Sequence, residues 1–256
     1  MRVPVWRLQL SRVLAVALAL VACHADPAKR EQAVITFDPT IMRKVLQDMS
    51  SGDVFVIKRK PPGMFAEYRD VVAAANTLDR DVVDAAPFMY VQVSLRHGAI
   101  VASGTMKGTS PSRMTDIVAQ YVGEGTLPAG GTTDVALGVE LAHLLGVHVG
   151  DSIEIQIARD SSNGFDRESE FRTVRVASLL RMGGLQLDYE LVVMDFSSAR
   201  NFLGRGDVAT GVELRLAHDT AAHRIARSLE AKLGSAYEAS DWCELNQQLL
   251  GCTWHD

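Results

Sequence analysis

The residues of this sequence that could do chemistry include seven histidines and three cysteines. Zinc hydrolases often place two histidines four positions apart on one helix, in the pattern H-E-x-x-H, whereas His143 and His148, like His218 and His223, are five positions apart. The serine pattern G-x-S-x-G and the phosphate-binding pattern G-x-x-x-x-G-K-[ST] do not occur in the sequence. We therefore expect a non-catalytic protein without a metal or cofactor, whose histidines are structural or lie at the surface.

The N-terminus has the pattern of a secretory signal. The apolar run Val13–Ala22 follows three arginines and is about half as long as the roughly 20 residues that cross a bilayer. It ends in Leu20-Val21-Ala22-Cys23, which fits the lipobox, a motif whose cysteine is acylated and becomes the mature N-terminus. We expect a signal peptide over residues 1–23, with Cys23 as the lipid attachment site, and a polar tether over 24–38. Cleavage without acylation and an uncleaved short anchor are the alternatives.

The other two thiols, Cys243 and Cys252, lie near the end of the chain. In an oxidising periplasm they could form a disulfide, but their spacing is compatible with many geometries. The sequence leaves both a disulfide and two free thiols open.

The charge of the chain argues against a nucleic-acid partner. The formal net charge is −5, and no long run of lysine or arginine is present. Nucleic-acid binding depends largely on neutralising phosphates with basic side chains. We therefore expect no nucleic-acid surface.

The stretch Thr132–Ile157 predicts a helix followed by a strand. Thr133 or Asp134 is a suitable helix N-cap, and Gly146 is a suitable left-handed terminator. Isoleucines then alternate with polar residues after a Gly-Asp turn, which is typical of a half-buried strand. The predicted apolar helix face and strand face consist of Leu137, Leu141, Leu144, Leu145, Ile153, Ile155 and Ile157.

Both ends of the chain show a strand–helix–strand pattern. In the first, strand Asp53–Arg59 and strand Val82–Leu95 flank a helix, and Pro87 should lie at a strand start or a bulge. In the second, alternating residues over 212–216 lead to a helix beginning at Asp219 or Thr220 and to strand Tyr237–Asp241. Two such units can pair into one ferredoxin-like layer.

These patterns predict an α+β fold with two subdomains. The ferredoxin-like, porter-type layer takes residues 39–98 and 207–246, a mixed α/β insert takes 99–206, and 247–256 form a tail.

Two further features of the insert could contact partners. The polar segment Arg159–Glu170 contains an Asn-Gly pair and should project into solvent. Met182, Leu185 and Leu187 flank Gly183-Gly184 and form either a mobile lip that exposes apolar side chains to a lipid or lipoprotein, or the cap of a core.

Several stretches resemble the periplasmic core domain of ABC-transporter permeases of the MacB type, and they look most like the lipoprotein-releasing (LolC/LolE) subfamily. The match covers about residues 42–250 in the family's order, including an "LGVxxGD" segment and the patterns "aPf", "kGidP", "sGieLrl" and "Wxelnxxl". In this sequence these are Met42–Leu46 with Asp53–Val56, Ala86–Phe88, Lys107–Pro111, Leu145–Asp151, Gly211–Leu216 and Asp241–Asn246.

The resemblance implies an envelope protein that works by binding and by transmitting movement. It implies a periplasmic location with membrane attachment through the N-terminus, and an ABC-type ATPase/permease complex, a lipoprotein or a carrier protein as partners. Arg159–Glu170 occupies the position of the hook with which one subfamily recruits the soluble lipoprotein carrier, so Asn163, Gly164 and Phe165 are candidate contact residues, together with Met182 and Leu185.

The sequence also departs from this family. Family permeases have four membrane helices, whereas this sequence ends at Asp256, where the second should begin. We therefore expect either a free-standing copy of the domain or the remnant of a truncated permease gene. The alternative function is that of a stand-alone envelope lipoprotein that binds an apolar ligand or scaffolds a complex.

Overall fold

The computed structural model describes residues 39–61, 63–158, 169–183 and 186–250. Its helices are α1 Pro39–Leu46, α2 Tyr68–Asn76, α3 Pro111–Asp116, α4 Val139–Leu145, α5 Leu187–Glu190, α6 Phe196–Leu203, α7 Ala222–Leu233 and α8 Trp242–Leu250. A π-helical turn, Gln47–Ser51, follows α1, and short 3₁₀ turns span Val118–Tyr121 and Asp219–Ala221. Its strands are β1 Val54–Lys58, β2 Val82–His97, β3 Ile100–Thr109, β4 Val122–Gly125, β5 Asp134–Gly138, β6 Ser152–Ala158, β7 Ser169–Leu180, β8 Leu191–Asp195, β9 Gly211–Leu216 and β10 Tyr237–Asp241.

The strands of the described residues form one mixed sheet. Its order is β10-β1-β9-β2-β3-β8-β5-β7-β4, and β6 pairs with β2 and β7 beside this path. The first four strands are antiparallel to their neighbours, and α2 and α7 pack against them. We call these strands and the two helices the terminal layer, since both ends of the described chain build it, and we call residues 99–206 the insert.

Strand β2 connects the terminal layer to the insert. Its first half pairs with β9 as far as Phe88, and its second half pairs with β3 from Met89 onward. Pro87 lies at neither a strand start nor a bulge, because it pairs in register with Val212 and the register shift lies earlier, between Val82 and Asp84. Proline is tolerated at this position because the first half of β2 is an edge of the terminal layer, where the missing N–H breaks no ladder.

The helix predicted to start at Thr133 or Asp134 begins later, at Val139. Residues 134–138 instead form β5, which is buried along its whole length between parallel β7 and antiparallel β8. A strand that is buried on both faces has a nearly continuous apolar sequence. The spacing of its apolar residues therefore does not distinguish it from a buried helix. Leu144 is consequently exposed, whereas Gly146 ends α4 in the left-handed conformation as expected.

The other elements follow the predicted pattern closely. Ile153, Ile155 and Ile157 of β6 are all buried, as their alternation predicts. The terminal strand–helix–strand units are present, and the Asp195 side chain caps α6 by accepting a hydrogen bond from Ser198 N at 3.0 Å.

Two apolar cores lie on opposite faces of the insert strands. Along β8, Val192 and Met194 join one core, whereas Leu191 and Val193 join the other. The main core continues from the insert into the terminal layer and is covered by α2, α4, α6 and α7. The second core is smaller and packs under α1 and α3; it contains Val45, Met49, Met114, Ile117, Val118, Ala136, Leu180, Met182, Leu191 and Val193. In the part of the chain that the structure describes, no helix combines the length and apolar character needed to span a bilayer.

Candidate functional site

The two ends of the described chain meet at one end of the molecule. The guanidinium of Arg43 in α1 lies 5.1 Å from the centre of the Trp242 ring, which begins α8. The Trp242 amide donates to the carbonyl of Asp53 at 3.0 Å, directly after the π-turn. The segments that enter and leave the domain are therefore fixed to each other and to the start of β1.

The π-turn changes which groups bind the carbonyl of Met49. Gly52 N donates to Gln47 O, five residues back, at 2.7 Å. The amide that an α-helix would direct to Met49 O is that of Asp53, and it donates instead to Leu214 O in β9 at 2.8 Å. Met49 O accepts hydrogen bonds from Lys107 Nζ and Tyr90 Oη, each at 3.2 Å.

Glycine is required at the end of this turn. Gly52 has a φ of 62°, which side-chain-bearing residues rarely adopt, and a Cβ there would lie 2.7 Å from Leu214 O. The turn thus fits closely against β9.

Lys107 of the insert forms a buried ion pair with Glu213 of the terminal layer. Their charged atoms are 2.9 Å apart, and the two side chains are 4% and 1% exposed. Burial lowers the pKa of Lys107, although the nearby Glu213 carboxylate opposes this change. The Tyr90 ring lies 5.6 Å from the Lys107 ammonium, and burial raises the pKa of the Tyr90 hydroxyl well above its usual range.

A second ion pair crosses the same boundary. Arg113 of α3 is buried and donates from Nε to Asp84 of β2 at 3.1 Å, and its terminal nitrogen contacts the Glu213 carbonyl at 3.5 Å. The β3–α3 connection positions Arg113, because Pro111 occupies the first turn of α3 and the Ser110 hydroxyl caps it. The Met49 carbonyl and these two ion pairs connect the insert to the terminal layer. We call the residues that make these contacts the junction: Met49, Asp84, Tyr90, Lys107, Arg113 and Glu213.

A polar cleft of about 520 Å³ opens beside the junction. Asp48 accepts from Tyr121 Oη and from Lys44 Nζ, both at 2.6 Å, and Asp53 accepts from Gln47 Nε2 at 3.0 Å. Burial raises the pKa of Asp53, with the hydrogen bond from Leu216 N opposing it. The cleft is lined by Arg43, Lys44, Val45, Gln47, Asp48, Asp53, Gln120, Tyr121 and Asp219.

One group of described side chains brings three possible metal ligands within 4.8 Å of one another: His223, Asp241 and Glu244. Their present contacts are structural. Asp241 Oδ1 caps α8 by accepting from the amides of Cys243 and Glu244 at 2.9 Å each, and its other oxygen is 2.9 Å from His223 Nδ1. Glu244 also binds Arg227 at 3.1 Å. We therefore interpret this group as a helix cap with ion pairs.

The structure separates the residues that the sequence singled out. Met182 does not lie at an exposed lip, because it is 2% exposed in the second core and its amide is held by Asp188 Oδ1 at 2.7 Å. Leu187 packs against the same core. Cys243 is buried and disulfide-bonded, which resolves the open question about its thiol. The remaining candidates lie outside the described residues: Cys23, Asn163, Gly164, Phe165 and Leu185.

The junction was missed by sequence reasoning, although its parts carried a signal. Lys107 and Glu213 both lie in stretches that resemble family patterns, and Lys107 lies among the inward-facing residues at the end of β3. A charged residue in such a position requires a partner. No local pattern identifies that partner, since Glu213 lies 106 positions away.

Comparison with known proteins identifies the family to which this fold belongs. Residues 33–232 match the model of the MacB-like periplasmic core domain. The chain therefore belongs to the family of MacB-like periplasmic core domains.

Particular relatives come from lipoprotein-releasing systems. The transmembrane protein LolC of Xylella fastidiosa, in strains 9a5c and Temecula1, is 29% identical over 187 residues, which are 72% of this chain and 45% of LolC. The chain thus spans less than half the length of these relatives.

Two solved structures share the fold. The extracellular domain of the noncanonic ABC-type transporter YknZ from Gram-positive bacteria aligns with a TM-score of 0.51 and 14% identity, over 73% of this chain and 99% of that one. The periplasmic region of MacB from Actinobacillus actinomycetemcomitans aligns with a TM-score of 0.51 and 12% identity, over 82% of this chain and 97% of that one.

Proposed function

We propose that this chain is a non-catalytic extracytoplasmic domain of a lipoprotein-releasing or MacB-type permease, which transmits conformational change and binds a lipoprotein or its carrier. The observation that carries this proposal is the meeting of α1 and α8, where Arg43 stacks on Trp242. In a permease, these are the segments that would lead to membrane helices. Movement of either segment would therefore be transmitted to the domain where Arg43 contacts Trp242.

The fine architecture supports this role. The antiparallel order β10-β1-β9-β2, with helices from two β-α-β units, is the order expected of a ferredoxin-like layer. We propose that it forms a porter-type subdomain, residues 39–98 and 207–246, that receives movement. The insert, residues 99–206, would then carry the partner-binding segments.

We also propose a periplasmic location with attachment through Cys23. A disulfide at Cys243 supports an oxidising compartment, where structural disulfides persist. The apolar run before Cys23 supports export, and acylation of that cysteine would hold the domain at a membrane.

Co-purification from membranes tests the proposal. The tagged full chain should retain an ABC-type ATPase or permease after detergent extraction, and Cys23→Ala should shift it to the soluble fraction if acylation provides attachment. Recovery of the chain at the membrane without any transporter subunit would favour the alternative of a stand-alone envelope lipoprotein. Mass spectrometry of the mature N-terminus determines whether Cys23 is acylated.

A pull-down tests the proposed partner-binding segment separately. Phe165 is the bulky apolar residue of the polar segment that resembles the family hook. Phe165→Ala should reduce capture of the soluble lipoprotein carrier, whereas Leu144→Ala, which truncates an exposed residue of α4, should not. Equal capture by wild type and Phe165→Ala would remove the carrier from the proposal.

A further inference from the structure

The hydrogen bonds of the π-turn between α1 and β1 differ from those of an α-helix over the same residues. In the observed register, Asp53 N donates to Leu214 O and Met49 O accepts from Lys107 and Tyr90. In an α-helical register, Asp53 N would donate to Met49 O. The two registers compete for one donor and one acceptor, so they exclude each other.

We propose that Gln47–Ser51 is a two-state register switch that attaches α1 to the insert in one state and releases it in the other. This inference rests on the proposed function, because it is the permease that would move α1. When α1 shifts into the α-helical register, Met49 O accepts from Asp53 N, and Lys107 of the insert and Tyr90 of β2 lose this acceptor. Leu214 of β9 loses the hydrogen bond from Asp53 N. π-Turns within helices are often found at functional sites.

The surroundings of the turn fit a sliding contact. α1 and the π-turn rest on the second core through Val45 and Met49, and the facing residues include Met114 and Met182. Methionine side chains are unbranched and adapt to small displacements. A shift of α1 can therefore be absorbed without opening a cavity.

The ion pair determines which contact of Lys107 the switch breaks and which it keeps. Lys107 keeps Glu213 at 2.9 Å when it loses Met49 O, so its charge stays paired. The contact that is lost joins the π-turn after α1 to β3, whereas the contact that remains joins β3 to β9. The switch would thus release α1 from the insert first and leave the two parts of the domain attached to each other by their ion pairs.

Distance measurements by pulsed electron paramagnetic resonance test the switch on the full chain without a transporter. One nitroxide is placed at Lys44 of α1 and the other at Glu124 of β4, both of which are exposed. Tyr90→Phe removes one donor from Met49 O and should therefore favour the α-helical register. We expect Tyr90→Phe to populate a second distance at least threefold more than wild type.

A matched control and a clear contrary result complete the design. Tyr189→Phe removes the hydroxyl of an exposed tyrosine on α5 and should leave the distribution unchanged. An unchanged distance distribution in Tyr90→Phe overturns the switch. The measurement does not depend on co-purification with a permease, so failure of the switch is distinguishable from failure of the proposed function.

Discussion

The two cores of this domain differ in composition and in what borders them. Among the described residues, three of the ten members of the second core are methionines, against three of 41 in the main core. The main core is closed by helices that pack on the sheet, whereas the second core borders a buried ion pair and a polar cleft. We infer that the main core provides most of the stability, and that the movement of α1 proposed above would take place against the second core.

The largest expected effect comes from breaking the buried ion pair beside the second core. Lys107→Met leaves the Glu213 carboxylate in a dry site without its partner, which should lower the free energy of unfolding by about 3–5 kcal/mol. Denaturant titration measures this loss. Replacing both partners, as Lys107→Met with Glu213→Leu, removes both buried charges and should recover most of it.

Lys58→Met is the matched control for this prediction. Lys58 pairs with Glu67 at 2.9 Å, but half of the Glu67 side chain is exposed, so solvent screens the pair. We expect the control to unfold close to the wild-type midpoint. A double variant no more stable than Lys107→Met would contradict the assignment of the loss to an unpaired buried charge.

An intermediate effect should separate the two cores. Ile155→Ala removes buried methylenes from the main core, where β6 and the covering helices hold their positions, and it should destabilise the protein by about 2–5 kcal/mol. Met114→Leu in the second core conserves volume and should cost less than about 1.5 kcal/mol. Thermal denaturation of both variants measures the difference. A larger loss for Met114→Leu than for Ile155→Ala would mean that the second core is the more rigid one.

The smallest expected effect concerns the helix caps on the two sides. Asp195→Ala removes the cap of α6 over the main core, and Ser110→Ala removes the cap of α3 beside the junction. Each should cost about 1 kcal/mol, which is typical of a lost N-cap. Hydrogen exchange should show the loss confined to α6 in the first variant, and extended beyond α3 to the strands that Arg113 contacts, at Asp84 and Glu213, in the second. A loss confined to α3 in the second variant would argue that α3 does not hold the junction.

The sequence predicted the terminal layer well because its signals are local. The alternation of Val212, Leu214 and Leu216 in β9 and the helical spacing over α2 and α7 mark the faces that pack into the main core, and a single window of sequence records each of them. The predicted helix start at Thr133 or Asp134 was wrong because residues 134–138 form a strand whose sequence carries no such local signal. This strand is buried on both faces, so its pattern carries no period and the capping residues before it suggested a helix.

The junction depends on contacts that no window contains. Tyr90 and Lys107 reach Met49 only because β2 and β3 lie beside the π-turn in space. The π-turn itself has no capping or composition signal, and Gly52 is its only local mark. Physical reasoning from sequence could identify Lys107 as a charge in need of a partner, but it could not supply the partner.

The pairing of β1 with β10 has a mechanical consequence. Val54, the first residue of β1, lies opposite Asp241, the last residue of β10, so the entering and leaving segments emerge from the same end of one antiparallel ladder. A tensile load that separates α1 from α8 would act on this ladder one rung at a time, beginning at Val54 and Asp241, as in opening a zipper. Such geometry would yield at low force and re-form easily, which would suit the proposed transmission of movement through α1 and α8.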